Sequence, residues 1–90
     1  MYNVRVTTEF EKDLKRIKKR GYDIDLLSTV VNKLIAEEQL DATYRDHPLQ
    51  GRYKGCRECH ITPDWLLMYE IVNKTLILLL TRTGHAHRLI

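Results

Sequence analysis

The stretch GCRECHITPDWLLMYEIVNKTLILLLTR, from Gly55 to Arg82, reads as three strands in succession, at about Gly55 to Ile61, Leu66 to Val72 and Thr75 to Arg82. The second and third runs are rich in β-branched, aromatic and large aliphatic residues. The breaks between them, Thr62-Pro63-Asp64 and Val72-Asn73-Lys74, are short enough to join neighbouring strands as hairpins of an antiparallel meander. Upstream, His47-Pro48 and Gly51 keep the connecting segment from being helical, so a short loop leads into the meander.

Before that loop the period changes from two to about 3.6. Leu27, Val30, Val31, Leu34 and Ile35 form the apolar stripe of one helix, capped by Asp23 or Asp25. Phe10, Leu14 and Ile17 form the stripe of an earlier helix that Gly21 stops. Thr8 and Glu11 have the spacing of a capping box, in which hydroxyl and carboxylate each accept from an amide at the helix start. Tyr2 to Val6 reads as a first strand. The expected fold is therefore α+β, one domain over residues 1–90: an N-terminal strand, two helices, then a C-terminal antiparallel sheet, with both helices on one sheet face and the other face open.

The chain has 90 residues, long enough for one core and too short for two. Its 15 Lys and Arg against 12 Asp and Glu give a net charge of +3, which permits a polyanionic partner without demanding one. The longest apolar run, Leu76 to Leu80, is five residues, against the roughly 20 that a membrane-spanning helix needs. No apolar stretch follows the N-terminus as a signal peptide would require, so a cytoplasmic protein with no membrane association is expected. Lys12, Lys15, Arg16, Lys18, Lys19 and Arg20 crowd the outer face of the first helix, as either a solvated surface or a contact for RNA phosphate or an acidic protein.

His47, His60, Asp64, Arg82, His85 and His87 all lie in the second half, and none of the histidines falls in a helix. Imidazole moves protons near neutral pH, and guanidinium grips phosphate through two N–H groups. Together they are the parts of a metal-independent ribonuclease: a base for the ribose 2′-hydroxyl, an acid for the leaving 5′-oxygen and a cation for the crowded phosphate. Scattered surface histidines would give the same composition. Cys56-Arg57-Glu58-Cys59-His60 matches the string of covalent haem attachment. In a strand, however, positions 56 and 59 point to opposite faces, which argues against haem, a disulfide and a zinc site built on both cysteines. No cofactor and no metal is expected. Trp65 offers either core packing or a stacking platform for a base, and Lys54, Arg52 and Arg57 add positive charge near the histidines.

In the combination Asp46-His47-Pro48-Leu49-Gln50-Gly51, His60-Ile61-Thr62-Pro63-Asp64 and Arg82-Thr83-Gly84, in this order, the chain resembles the YafQ-like branch of the RelE/ParE toxin superfamily from its first strand to its C-terminus. The resemblance implies a type II toxin that cleaves mRNA on translating ribosomes and is neutralised by a DinJ/RelB-like antitoxin, meeting operator DNA only through the antitoxin complex. It implies catalytic roles for His47, His60, Asp64 and Arg82, with Trp65 at the same site; Trp65 by its ring and Lys54 and Arg57 by their charge are read as RNA contacts. The family pattern continues R-T-G-S/T-H, whereas here Ala86 stands at the histidine position. His85 or His87 supplies that imidazole, or activity is reduced, and Ile90 replaces a terminal aromatic. A non-nuclease toxin of the ParE-like kind, and a weakened relative acting in a repressor complex, are the alternatives.

Overall fold

A computed structural model describes residues 1–84. Along the chain run β1 (Asn3–Val6), α1 (Thr8–Lys19), α2 (Ile24–Ile35), β2 (His47–Pro48), β3 (Arg57–Thr62), β4 (Trp65–Val72) and β5 (Thr75–Thr83), with single 3-10 turns at Ala42–Tyr44 and Gly51–Tyr53. The five strands form one sheet in the order β1-β5-β4-β3-β2. The meander is antiparallel as expected. β1 joins it parallel to β5, from Asn3 opposite Thr75 to Val6 opposite Leu78, which makes the whole sheet mixed. The long excursion between those two strands is what permits a parallel pair. The His47-Pro48 segment, read from sequence as loop, pairs with Glu58 and Arg57 as a two-residue edge strand.

Local chemistry fixes the element ends. The cap of α1 is Thr7, one residue earlier than the Thr8 capping box, because its Oγ1 accepts from the Phe10 amide at 3.0 Å and donates to the Leu79 carbonyl at 2.7 Å. One hydroxyl thus satisfies the helix start and pins it to β5. Asp23 caps α2 by accepting from the Asp25 amide at 3.0 Å. Asn73 and Lys74 both take positive φ, 48° and 62°, the geometry of a two-residue hairpin whose twist matches its strands.

Phe10 and Ile17 of α1 and Leu27, Val30 and Leu34 of α2 are buried against Cys59, Ile61, Trp65, Leu67, Tyr69, Leu76 and Leu78. Both helices therefore cover one sheet face. Pairing in β5 shifts between Leu80, opposite Met68, and Leu78, opposite Tyr69, so that Leu79 is an extra residue. Such a bulge reverses the alternation of side chains. Leu76 and Leu78 face the helices, and beyond the bulge Thr81 does so, which turns Arg82 to the opposite face. Among the described residues no helix is long and apolar enough to cross a membrane.

Burial, with the nearby Asp46 and Glu58 carboxylates, pushes the Cys59 thiol from its usual 9.0 up to about 12. Burial and a hydrogen bond to Asp46 likewise raise the Tyr69 phenol. Both groups are held in their neutral forms, so their contribution to stability is fully present below about pH 9 and is lost as pH rises toward 12. Urea unfolding midpoints are expected to fall between pH 8 and pH 11, and to fall less in Cys59→Ala; equal falls in the two proteins would refute the assignment to this thiol.

Candidate active site

The face away from the helices carries the ionisable cluster. His60 on β3 lies opposite Leu66 on β4, which lies opposite Arg82 on β5. His60 and Arg82 thus stand on either side of one leucine in register, with their Cα atoms two strand spacings or roughly 10 Å apart. In the next row His47 of β2 lies opposite Glu58 of β3. Position 58 shares the face of position 60 because strand side chains alternate.

Both imidazole rings have oxygen partners within the domain. His47 Nδ1 is 3.2 Å from the Pro48 carbonyl and its Nε2 is 3.3 Å from Glu58 Oε1. Both ring nitrogens face acceptors. His60 Nδ1 is 3.4 Å from the Pro63 carbonyl. An N–H there leaves the Nε2 lone pair available to take a proton. Asp64, exposed in the β3–β4 turn, accepts from Thr62 Oγ1 at 2.9 Å, and its carbonyl accepts from the Gly84 amide at 2.8 Å.

Glu58 is the site residue that sequence reading passed over. Its side chain is 2% exposed, and its Oε2 has no hydrogen-bond partner among the described residues. The available signal was its spacing of two from His60 in a strand. His47, Glu58 and His60 each bring a ligand-type atom within 4.8 Å of the others. This set has the donors to hold a divalent cation, unlike the cysteine-based set. Cys59 is buried on the helix side and Cys56 precedes β3; both are free thiols.

Arg82 is held from the side by α1. Its Nε donates to Asp13 Oδ2 at 2.9 Å and its Nη2 to Glu9 Oε2 at 3.1 Å. Asp13, only 1% exposed, also accepts from the Thr81 amide and from Arg16 Nη2, each at 3.1 Å. The carboxylate is fully engaged, and the guanidinium keeps its remaining N–H groups for another acceptor.

One expected RNA contact is corrected by this geometry, and another residue is placed away from the histidines. Trp65 is 0% exposed: its ring packs edge-on against Tyr22 at 5.2 Å and its Nε1 donates to Thr81 Oγ1 at 2.8 Å, so no base can stack on it. Arg57, at the other parity of β3, lies on the helix side, pairs with Asp46 at 3.4 Å and stands opposite Tyr69. It is not brought to the histidines. Lys54 is exposed after the second 3-10 turn. His85 and His87 lie outside the described residues.

Fold and site define a small α+β domain whose sheet face away from the helices, where Leu66 and Met68 are buried and not open as expected, carries groups for acid–base chemistry beside a held cation. Its sequence matches, over residues 2–90, the family described as bacterial toxin of type II toxin-antitoxin system, YafQ. It is 39% identical over 83 residues to the mRNA interferase toxin YafQ of Escherichia coli K12, covering 91% of this chain and 88% of that one. The E. coli DinJ-YafQ complex superposes with a TM-score of 0.86 at 37% identity, covering 92% of this chain and 93% of that one. A metal-bound toxin from Helicobacter pylori superposes with a TM-score of 0.87 at 42% identity, covering 97% and 98%. The chain belongs to the YafQ family of bacterial type II toxin-antitoxin toxins.

Proposed function

We propose that this chain is a toxin that arrests translation by cutting mRNA on the ribosome, in the cytoplasm, and that a DinJ/RelB-like antitoxin holds it silent and supplies the contact with operator DNA. The observation that carries the reading is the shared sheet face of His47, Glu58, His60 and Arg82. The name of the E. coli relative, an mRNA interferase, supports the substrate class, and that relative's complex with DinJ supports the partner.

In the proposed reaction His60 Nε2 takes the 2′-hydroxyl proton and the 2′-oxygen forms a bond to phosphorus. The bond from phosphorus to the 5′-oxygen breaks, and that oxygen receives a proton from His47 backed by Glu58, or from His85 or His87. Arg82 stabilises the charge that builds on the phosphate oxygens. Asp64, hydrogen-bonded to Thr62, shapes the turn that presents the Pro63 carbonyl to His60. These groups supply every proton transfer, so no metal is required.

Primer extension on mRNA from cells expressing the chain tests this reading. New 5′ ends are expected with the parent and not with His60→Ala, and cleavage on purified ribosomes by EDTA-treated toxin, with Mg²⁺ restored for the ribosome alone, should persist. The products are a 2′,3′-cyclic phosphate and a 5′-hydroxyl. Growth arrest without new 5′ ends would replace the nuclease with a non-cleaving toxin.

A further inference from the structure

Beside Arg82, between the outer edge of β5 and the last turns of α1, lies a cleft of about 180 Å³ lined by Asp13, Arg16, Ile17, Arg20, Thr81, Arg82 and Thr83. Three of its seven walls are arginines. Each is braced by protein acceptors: Arg16 by Asp13, Arg82 by Asp13 and Glu9, and Arg20 through its Nη1 to Thr83 Oγ1 at 3.1 Å. The buried carboxylate is consumed by this bracing and stays at the floor. The cleft therefore presents the unused N–H groups of three fixed guanidinia, a donor set matched to phosphate oxygens. Arg16 and Arg20 are at the C-terminal end of α1, where the helix dipole favours cations and gives no attraction to an anion, so the arginines themselves must supply the binding.

We infer that this cleft is a second phosphate subsite, which seats the phosphodiester neighbouring the scissile one in the single-stranded RNA substrate. The inference rests on the nuclease reading of the adjacent face. Arg82 belongs to both places, with its fork anchored between them, and ties the register of the strand to the reacting phosphate. A net charge of +3 spread over the surface would grip RNA weakly. Three arginines braced around one phosphate convert that modest charge into a defined contact.

The test is binding of a 2′-O-methyl RNA hexanucleotide, which cannot be cut, to the whole toxin at several salt concentrations, with single-turnover cleavage measured in parallel. Among the described residues the Arg20 side chain hydrogen-bonds to Thr83, and Arg20→Gln leaves Asp13 satisfied, so the fold is retained, as its melting temperature will report. The variant is expected to bind several-fold more weakly and to lower the slope of log affinity against log salt by about 0.7, the value for one phosphate of a single strand that is no longer neutralised. In cleavage it should raise KM and leave kcat near the parent value. Lys33→Gln, on α2 and pairing with Glu38, should change neither slope nor KM. An unchanged salt slope in Arg20→Gln, or a slope lowered equally in both variants, overturns the subsite even when mRNA cleavage persists. Loss of cleavage specificity is read separately by the 5′ ends, so failure of the subsite and failure of the nuclease reading are distinct results.

Discussion

Arg82→Ala is expected to lower the rate of mRNA cleavage by about 10²–10³-fold, equivalent to about 2.7–4 kcal/mol, the effect of removing one preorganised donor from a developing oxyanion. The loss should appear in kcat, because the contact strengthens as charge builds on the phosphate. Stability should change far less. Asp13 keeps the Thr81 amide and Arg16 when Arg82 is removed, so its buried carboxylate is not orphaned. The partner Glu9 is exposed, and an exposed pair is worth only about 0–1 kcal/mol. Arg82→Lys should not restore the rate, since one ammonium cannot hold Asp13 and present a flat pair of donors at once. Single-turnover cleavage on programmed ribosomes, with melting curves of both variants, checks this. A variant that melts normally and cuts at the parent rate would reduce Arg82 to a structural link between β5 and α1.

The placement of that arginine shows where sequence reading reaches its limit. The helices were legible because Phe10, Ile17, Leu27, Val30 and Leu34 repeat at helical spacing and are the residues found buried. The meander was legible because Pro63-Asp64 and Asn73-Lys74 interrupt it. The phase of β5 was not. Leu76 to Leu80 is apolar throughout, so nothing in it tells which residue faces the helices or that Leu79 is the extra one. Without that bulge Arg82 would share the face of Leu76 and Leu78, away from His60. The parallel pairing of β1 was equally hidden, since its four residues are all exposed and carry no core pattern.

The site was legible in the same uneven way. His47, His60 and Arg82 announced themselves as residue types, whereas Glu58 sat inside a string that drew attention to its cysteines. Asp13 looked like one acidic residue among the charges of a basic helix. Its burial, and with it the bracing of Arg16 and Arg82, depends on α1 crossing β5 where its outer edge extends beyond β1, a contact between residues 68 positions apart. Charge patterning along one helix cannot show that.

Trp65→Ala is expected to have the largest effect on folding, a loss of about 3–5 kcal/mol, which is a large share of the roughly 5–15 kcal/mol that holds a domain together. The ring is 0% exposed and sits in the core against Tyr22 and Thr81 of β5. Its removal leaves a cavity beside Tyr22 and takes the donor from Thr81 Oγ1, whose own hydrogen is committed to the Leu66 carbonyl at 2.7 Å. Trp65→Phe keeps most of the packing and loses the N–H, for about 1–3 kcal/mol. These numbers separate a packing role from a base-stacking one. A stacking platform would lose RNA affinity in Trp65→Phe with little change in stability, whereas the buried ring predicts lowered stability and, at a temperature where the variant is folded, cleavage near the parent rate. Acrylamide should quench the fluorescence of this single tryptophan only weakly in the native protein, and a bound RNA hexanucleotide should leave that quenching unchanged. Strong quenching relieved by RNA would place the ring at the surface and return it to the substrate path. With the ring in the core, the Thr81 amide still holds Asp13 and Asp13 still aims Arg82 in Trp65→Phe, because that link runs through the backbone and not through the hydroxyl the indole bonds, and cleavage near the parent rate follows.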